Sequence, residues 1–419
     1  MTDQLSPAPR PPSGTGPLAR REARLAWAML FPTIFVVALV VLLPLLAVFW
    51  ISVKPVTLAD LRAPELVLRE DLRGRPKEPG DAARIRYRLR NSSQTAPILG
   101  VSLRDDIPQG LTLNGALDPR CSLSGTELTC DFGDLDGGFR ETLEIPVIVS
   151  ADYLANGDLG ASIPVTTGKS QGVLTSGEFT LDNFAKVLDG GAFWSTLGVT
   201  VFYTFFGTVG AIILGLFAAM ILNRDFKGQG ILRGLFLFPY VAPIIAVAFT
   251  WVILLDPFSG SFNALLLQMQ VVEAPINFFG QSPIALIMVT VFAMWCYFPL
   301  CFLFILARLQ ALDTDIYEAA DMDGASPFQK FWFLSLPQLM GILSVLFLLR
   351  FIWTFNKFDD IFLLTGGNAG TRTLTVSVYE QAFAISNIGA GAAVAVVIFV
   401  CLLIFATLFF RYLSQEEGL

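Results

Sequence analysis

Long apolar stretches separated by polar segments dominate the pattern of this 419-residue chain. A membrane-spanning helix takes about 20 apolar residues. Five stretches without a charged side chain are long enough, at 25–50, 194–222, 234–255, 283–307 and 388–410. A sixth, at about 336–364, is interrupted by Arg350, Lys357, Asp359 and Asp360. The pattern predicts a mostly α-helical, polytopic membrane protein with about six transmembrane helices and both termini on the same side. The first stretch is too long for a signal peptide and lacks a small-residue cleavage site, so we interpret it as a retained anchor.

The residues between the first two apolar stretches follow a different pattern. Short runs alternate in polarity and are separated by turn residues, which is typical of a small β-sandwich. The inward positions are Ile85, Tyr87, Leu89, Leu143, Ile145, Val147 and Val149. This segment resembles the immunoglobulin-like repeats of bacterial surface proteins. Its Cys121 and Cys130 are disulfide candidates, with two free thiols as the alternative, whereas Cys296, Cys301 and Cys401 lie in apolar stretches and are expected to pack as small apolar residues.

Charge and composition set the orientation and the class. The chain is 54% hydrophobic and only 15% charged, far below the usual charge content of soluble proteins. Arginines and lysines flank the apolar stretches on one side, and none occurs at 256–282. The positive-inside rule then places both termini in the cytoplasm and residues 51–182 outside it. The net charge of −7 gives no reason to expect a nucleic acid partner.

A polar segment, EAADMDGASPFQKFWFLSLP, joins the fourth and fifth stretches from Glu318 to Pro337. Gly324 can end one helix in a left-handed conformation, with Ser326 as N-cap and Pro327 as first residue of the next. The negative charge of Glu318, Asp321 and Asp323 suits an arginine on a partner. The alternative is a solvated amphipathic helix between two spans.

The spacing of this segment resembles the cytoplasmic docking loop of permease subunits in binding-protein-dependent ABC importers. It reads Glu-Ala-Ala, three residues, Gly, nine residues and Leu-Ser-Leu-Pro, with Leu334 where the family usually has isoleucine. Residues 183–411 resemble the maltose and α-glucoside permeases in FLFPY (236–240), WCYFP (295–299), FNKF (355–358) and LLTGG (363–367), although Asn368 and Ala369 follow where the family has proline. The resemblance implies ATPase-docking roles for Glu318, Ala319, Ala320, Asp323, Gly324, Leu336 and Pro337.

Polar residues within the later spans are candidate sugar contacts. Arg350, Thr354 and Lys357 share one helical face, and charged side chains at membrane depth normally face a polar cavity or a partner. With Asn356 they offer hydrogen bonds to hydroxyls, and Tyr240 and Tyr297 offer ring faces. The alternative is that Lys357, Asp359 and Asp360 reach the outer interface, and that Arg350 pairs with a carboxylate elsewhere in the complex. Pro239 and Pro243 are expected to interrupt the third span and Pro299 the fourth; the alternative is a plain kink set by packing.

Missing motifs complete the prediction. The chain has no histidine, no phosphate-binding loop and no metal-ligand pair, which predicts a non-catalytic subunit that binds no cofactor or metal. The resemblance implies two ATP-binding partner subunits that use ATP and magnesium, a second homologous permease, an extracytoplasmic sugar-binding protein and a bacterial inner membrane. It points weakly to maltose- or trehalose-like substrates.

In some maltose-type permeases an external insert helps dock the receptor. The insert of this chain could have the same role, and the alternative is a role in stability or assembly.

We therefore divide the chain into a cytoplasmic tail (1–24), a first transmembrane helix (25–50) and an extracytoplasmic β-rich insert (51–182). A five-helix permease core (183–412) follows, with its docking loop at 309–337, and a second cytoplasmic tail (413–419). Two other classes of function stay open. One is an ion-coupled secondary transporter, and the other is a membrane-anchored receptor or adhesin that uses the external β-domain.

Overall fold

A computed structural model describes residues 17–416 apart from positions 75, 95, 171 and 190. It divides into two units, the first ending at Trp50 and the second beginning at Ile51. One helical run crosses the first apolar stretch, formed by α1 (Pro17–Val37), a π turn (Ala38–Leu42) and α2 (Leu43–Ser52). Its apolar side chains are exposed around the helix, as expected where the solvent is lipid. The helix begins at Pro17 and not at 25, and the rest of the predicted tail lies outside the described residues.

The described part of the second unit opens with two four-stranded antiparallel sheets. Sheet A has the strand order β1-β2-β7-β4 and sheet B the order β5-β6-β3-β8. The strands are β1 (Leu66–Arg73), β2 (Ala82–Asn91), β3 (Ile98–Asp106), β4 (Leu111–Leu113), β5 (Cys121–Ser124), β6 (Glu127–Leu135), β7 (Arg140–Val149) and β8 (Val165–Ser170).

The two sheets share one hydrophobic core. Ile85, Tyr87 and Leu89 of sheet A are buried there, as their alternation predicts, together with Leu103 and Leu128 of sheet B. The inward positions predicted in β7 are buried too. Cys121 and Cys130 stand directly opposite each other on β5 and β6 and form a disulfide. The three cysteines of the later spans are free thiols.

A polar contact crosses this core between the sheets. The hydroxyl of Tyr87 donates a hydrogen bond of 2.5 Å to Asp105, whose carboxylate is buried. Glu70 lies opposite Tyr87 on β1. Burial, and then the nearby Asp105 carboxylate, raise the pKa of Glu70 to about 7. A proton on Glu70 therefore stabilises the contact between the sheets.

Helices make up most of the remaining chain. Five helical runs in the described residues are long and apolar enough to cross a membrane, and the number is six if one bent pair of helices is counted as a single span. The helices are α3 (Ala151–Asn156), α4 (Asp182–Leu188), α5 (Ala192–Leu222), α6 (Gln229–Phe236), α7 (Phe238–Val241), α8 (Ile244–Leu254), α9 (Ser261–Gln268), α10 (Ile284–Gln310), α11 (Thr314–Met322), α12 (Pro327–Lys330), α13 (Leu336–Phe355), α14 (Asp359–Thr365), α15 (Leu374–Tyr379) and α16 (Ile388–Glu416). Helix α16 continues past the predicted end of the core at 412.

Close packing of α5 against α10 forms the centre of the helical core. A Cβ built on Gly215 would come within 2.7 Å of the Cys301 side chain, so the two backbones approach as closely as glycine allows. Ala211 of α5 and Phe302 of α10 are fully buried at the same contact. Small residues on α5 thus admit large residues from α10.

The prolines have different effects in the two spans where we expected breaks. The third span is broken between Val241 and Ile244, where Ala242 is extended and Pro243 precedes α8, and its two halves meet at 90°. The predicted interruption at Pro299 is wrong, because α10 runs through it without a break. Packing on both sides of α10 retains the helix despite the one hydrogen bond that proline removes.

Buried hydrogen bonds fix the two connections between the sheets and the helices of the second unit. The ammonium of Lys54, which is fully buried, donates to the carbonyls of Ser176 and Glu178 and lies over the Phe179 ring. Asn183 donates to the carbonyl of Lys54 at 2.8 Å. The segment that leads into the β region at Lys54 is therefore hydrogen-bonded to the segment that leads out of it at 176–183.

Candidate functional sites

A polar cavity of about 710 Å³ lies among α7, α10 and the end of α13. The break after α7 and the end of α13 at Phe355 leave room there between the helices. Its lining combines aromatic rings with charged and amide groups: Pro239, Tyr240, Ala242, Ile244, Cys296, Tyr297, Arg350, Trp353, Asn356, Lys357 and Asp359. Five of the six predicted sugar-contact residues therefore meet in one cavity.

The sixth predicted residue, Thr354, lies behind the cavity wall. It is buried, and its hydroxyl accepts a hydrogen bond of 3.0 Å from Arg350. The guanidinium of Arg350 lies 4.2 Å from the centre of the Tyr297 ring, and the ammonium of Lys357 lies 5.1 Å from it. Thr354 thus orients Arg350, and two cations lie close to the Tyr297 ring.

A buried carboxylate that the sequence did not single out holds this group together. Asp360 is fully buried and accepts hydrogen bonds from the hydroxyls of Tyr203, at 3.0 Å, and Tyr297, at 2.9 Å. The ammonium of Lys357 is 4.0 Å from the same carboxylate and 3.3 Å from that of Asp359. The alternative in which Asp360 reaches the outer interface is therefore wrong.

The cavity wall combines charged groups of both signs with aromatic rings. Arg350, Lys357 and Asp359 line it, and the carboxylate of Asp360, buried behind the lining, lies 4.0 Å from the ammonium of Lys357. Tyr240 is 44% exposed, whereas Tyr297 is buried behind the two cations. Exposed ring faces combined with donors and acceptors in fixed positions are the usual means of orienting a small polar molecule.

The segment from Glu318 to Pro337 forms the helical elbow that its residues predict. Helix α11 ends before Gly324, which has a φ of +76°. Ser326 then caps α12 and forms a capping box with Gln329, and Pro327 is the first helical residue. A π turn (Phe331–Ser335) continues directly into α13. A Cβ on Gly324 would meet no atom of the described residues within 4 Å, so its backbone conformation is what requires glycine.

The elbow exposes carboxylates beside a patch of apolar side chains. Glu318 and Asp323 are exposed, whereas Asp321 forms an ion pair of 2.5 Å with Lys330 inside the segment. Asp321 is thus less available to a partner's arginine than we expected. Met322, Phe328 and Phe333 are 89%, 70% and 76% exposed. Exposed large apolar side chains close in sequence to exposed carboxylates are typical of a protein contact surface.

Together, the spanning helices, the polar cavity among them and the rigid elbow between two of them define a membrane transport component. The chain belongs to the family of binding-protein-dependent transport system inner membrane components, whose family model matches residues 211–416. It is therefore a multi-pass inner-membrane permease subunit, and the catalysis in such transporters lies in other subunits. The matched range contains the cavity and the elbow and none of the β-strands.

Similar proteins agree with this assignment. The inner membrane ABC transporter permease protein YcjO of Escherichia coli is 37% identical over 231 residues, which are 54% of this chain and 76% of that protein. The trehalose/maltose transport system permease protein MalF of Thermococcus litoralis is 36% identical over 232 residues, covering 55% and 78% of the two chains. The crystal structure of a bacterial ABC transporter that imports the acidic polysaccharide alginate matches with a TM-score of 0.51 at 19% identity, over 57% of this chain and 85% of the other.

Proposed function

We propose that this permease forms half of the translocation pathway of an ATP-driven sugar importer, together with a second homologous permease, two ATP-binding subunits and an extracytoplasmic sugar-binding protein. The observation that carries the proposal is the cavity in which Tyr240, Tyr297, Asn356 and Lys357 present ring faces and hydrogen-bonding groups. Relatives named for trehalose and maltose transport support α-glucosides as the first substrates to test.

The proposed mechanism is alternating access. The binding protein delivers the sugar at the outer face, and closure of the ATPase subunits displaces the elbow at Glu318–Pro337. The spans then rock, and the cavity opens to the cytoplasm. ATP and magnesium act in the partner subunits. Glu318, Ala319, Ala320, Asp323, Gly324, Leu336 and Pro337 are the proposed docking residues.

The proposed orientation places both termini in the cytoplasm and residues 51–182 outside it, as an immunoglobulin-like β-sandwich that contacts the binding protein. The absence of lysine and arginine from residues 256–282 supports this orientation, since basic loops remain in the cytoplasm. The shared core of sheets A and B and the disulfide, which needs an oxidising compartment, also support it.

Uptake of labelled trehalose and maltose into proteoliposomes that contain the complete transporter tests the sugar site. We expect Tyr240→Ala and Lys357→Ala to lower the rate of uptake, at a saturating concentration of the binding protein, on the order of tenfold, because each removes a group from the cavity wall. Tyr412→Ala, an exposed tyrosine near the end of α16, is the control. An unchanged uptake rate in both cavity variants would refute the site.

Coupling is tested with a pair of exposed glutamates. Glu318→Lys reverses a charge on the elbow, and Glu273→Lys does so in the loop after α9. We expect only Glu318→Lys to separate ATP hydrolysis from sugar uptake in a transporter that still assembles. Retained coupling in this variant would contradict the docking role.

A further inference from the structure

The outer face of sheet A carries a dense group of arginines. Side chains alternate across a strand, so this face is formed by every second residue of β1, β2 and β7. The arginines on it are Arg69, Arg73, Arg84, Arg86, Arg88, Arg90 and Arg140. Asp71 and Glu144 are the carboxylates on the same face of these strands. We call this surface the arginine face; it has five more positive than negative charges, in a chain whose net charge is −7.

The register of the strands places like charges directly opposite each other. Arg69 stands opposite Arg88, and Arg73 stands opposite Arg84. Arg90 stands opposite Arg140. Pairs of like charge at directly opposed positions destabilise a sheet. The stability of the sheet itself therefore does not explain this arrangement, and an anionic partner would.

The two carboxylates offset only part of the repulsion. Asp71 accepts from Arg86 at 2.7 Å and from Arg88 at 2.6 Å. Glu144 accepts from Arg84 at 2.7 Å and from Arg73 at 3.3 Å. Arg69, Arg90 and Arg140 are exposed and have no hydrogen bond or ion pair within the described part of the chain. These three guanidinium groups are free to pair with carboxylates of another molecule.

The arginine face extends away from the helices. Its near end, at Arg90, lies close to Ser93, which donates a hydrogen bond of 2.7 Å to Asp60 in the connection to the helical core. Its far end, at Arg84, is about 20 Å along the strand, at about 3.4 Å per residue. A row of charges of this length that leads away from the helices fits a soluble macromolecule beside the β region. A plane of lipid headgroups would reach only one end of it.

We propose that the arginine face is the surface on which a carboxylate-rich face of the extracytoplasmic binding protein docks. The inference rests on the proposed function, which supplies that partner. No aromatic side chain lies on the arginine face in the described strands, so the aromatic anchors of tight interfaces are missing. Charged surfaces without such anchors speed association more than they slow dissociation. A binding protein that must arrive and leave in every transport cycle needs this kinetic behaviour.

The test is a titration of the complete transporter, in nanodiscs, with the binding protein that is recovered by cross-linking to it. The triple variant Arg69→Gln, Arg90→Gln and Arg140→Gln removes the three free guanidinium groups and breaks none of the ion pairs among the described residues. We expect the binding-protein concentration for half-maximal ATPase activity to rise on the order of tenfold, with a weaker dependence on salt and an unchanged maximal rate. The control triple variant, Arg62→Gln, Lys77→Gln and Lys169→Gln, removes the same charge from other exposed positions of the β region.

The possible results separate docking from folding. Because Arg90 and Arg140 repel each other, the triple variant should melt at the same temperature as the wild type or higher, so weaker docking would not reflect misfolding. Identical titrations of the wild type and the triple variant, or an equal shift in the control, would overturn the proposal. The proposal would also be overturned if the triple variant lost binding to poly-L-glutamate while its titration with the binding protein stayed unchanged. The arginine face would then bind a polyanionic polymer. A wild-type transporter that the binding protein does not stimulate would instead refute the proposed function, before any variant is compared.

Discussion

Replacement of Asp360 by alanine should be far more damaging than the same change at its neighbour Asp359. Asp360 is fully buried and accepts hydrogen bonds from Tyr203 and Tyr297, and Tyr203 is itself buried. Hydrogen bonds to a charged group contribute about 1.5–3 kcal/mol each, and removal of one partner from a buried charged pair costs about 3–5 kcal/mol. The two estimates agree on a loss of about 3–5 kcal/mol. Asp359 is half exposed and pairs with Lys357 at 3.3 Å, which is worth about 0–1 kcal/mol.

The assay is thermal unfolding of the purified transporter, followed by tryptophan fluorescence, with sugar uptake in parallel. At about 2–4 °C per kcal/mol, Asp360→Ala should lower the melting temperature by about 10 °C and Asp359→Ala by less than about 4 °C. Asp360→Asn keeps one acceptor and should fall between them. Adding Tyr203→Phe to Asp360→Ala should cost little more, because both changes remove the same contact. Equal melting temperatures for the two alanine variants would show that Asp360 does not organise the cavity.

Three further predictions concern other parts of the molecule. Burial raises the pKa of Glu70 to about 7, so the protonated carboxyl stabilises the β region fully below about pH 4.5, and this stabilisation is lost as pH rises through about 7. Hydrogen exchange of residues 66–73, corrected for intrinsic rates, should therefore become faster from pH 6 to 8 in the wild type. It should not do so in Glu70→Gln. Removing the disulfide with Cys121→Ser and Cys130→Ser opens a short loop and should destabilise the β region by about 2–3 kcal/mol in urea titrations; no change in the urea midpoint would contradict this. Gly324→Val should uncouple ATPase activity from uptake, because a β-branched residue is strained at a φ of +76°, whereas Gly324→Asn should retain coupling; equal coupling in both would contradict the backbone argument.

The features that the sequence predicted well are those set by neighbours in the chain. The elbow at Gly324, Ser326 and Pro327 follows from local backbone rules, and the structure has each residue in its expected place. The alternation around Tyr87 likewise depends only on the period of a strand. Pro299 shows the limit of such rules, since packing around α10 outweighs the local preference of proline.

Contacts between distant parts of the chain were not predictable in the same way. Asp360 meets Tyr203 across 157 positions and Tyr297 across 63, and nothing in the local pattern separates it from the exposed Asp359 beside it. The alternating arginines of β2 were visible as a strand pattern. Only the register with β1 and β7 showed that other arginines stand opposite them.

The path of α13 suggests how the elbow and the cavity are linked. The run from Pro327 to Phe355 is a single apolar helical span, with a π turn near its start. Phe328 lies on the exposed patch of the elbow, and Arg350 lines the cavity. At 1.5 Å per residue they are about 33 Å apart along one helix. A helix is stiff over this length, so a displacement at Phe328 must tilt or shift Arg350 unless the π turn absorbs it. Because Arg350 contacts Tyr297, and Tyr297 contacts Asp360, such a shift would disturb the whole polar group at once. A displacement of the elbow would therefore reach the whole polar group of the cavity, as the proposed alternating access requires.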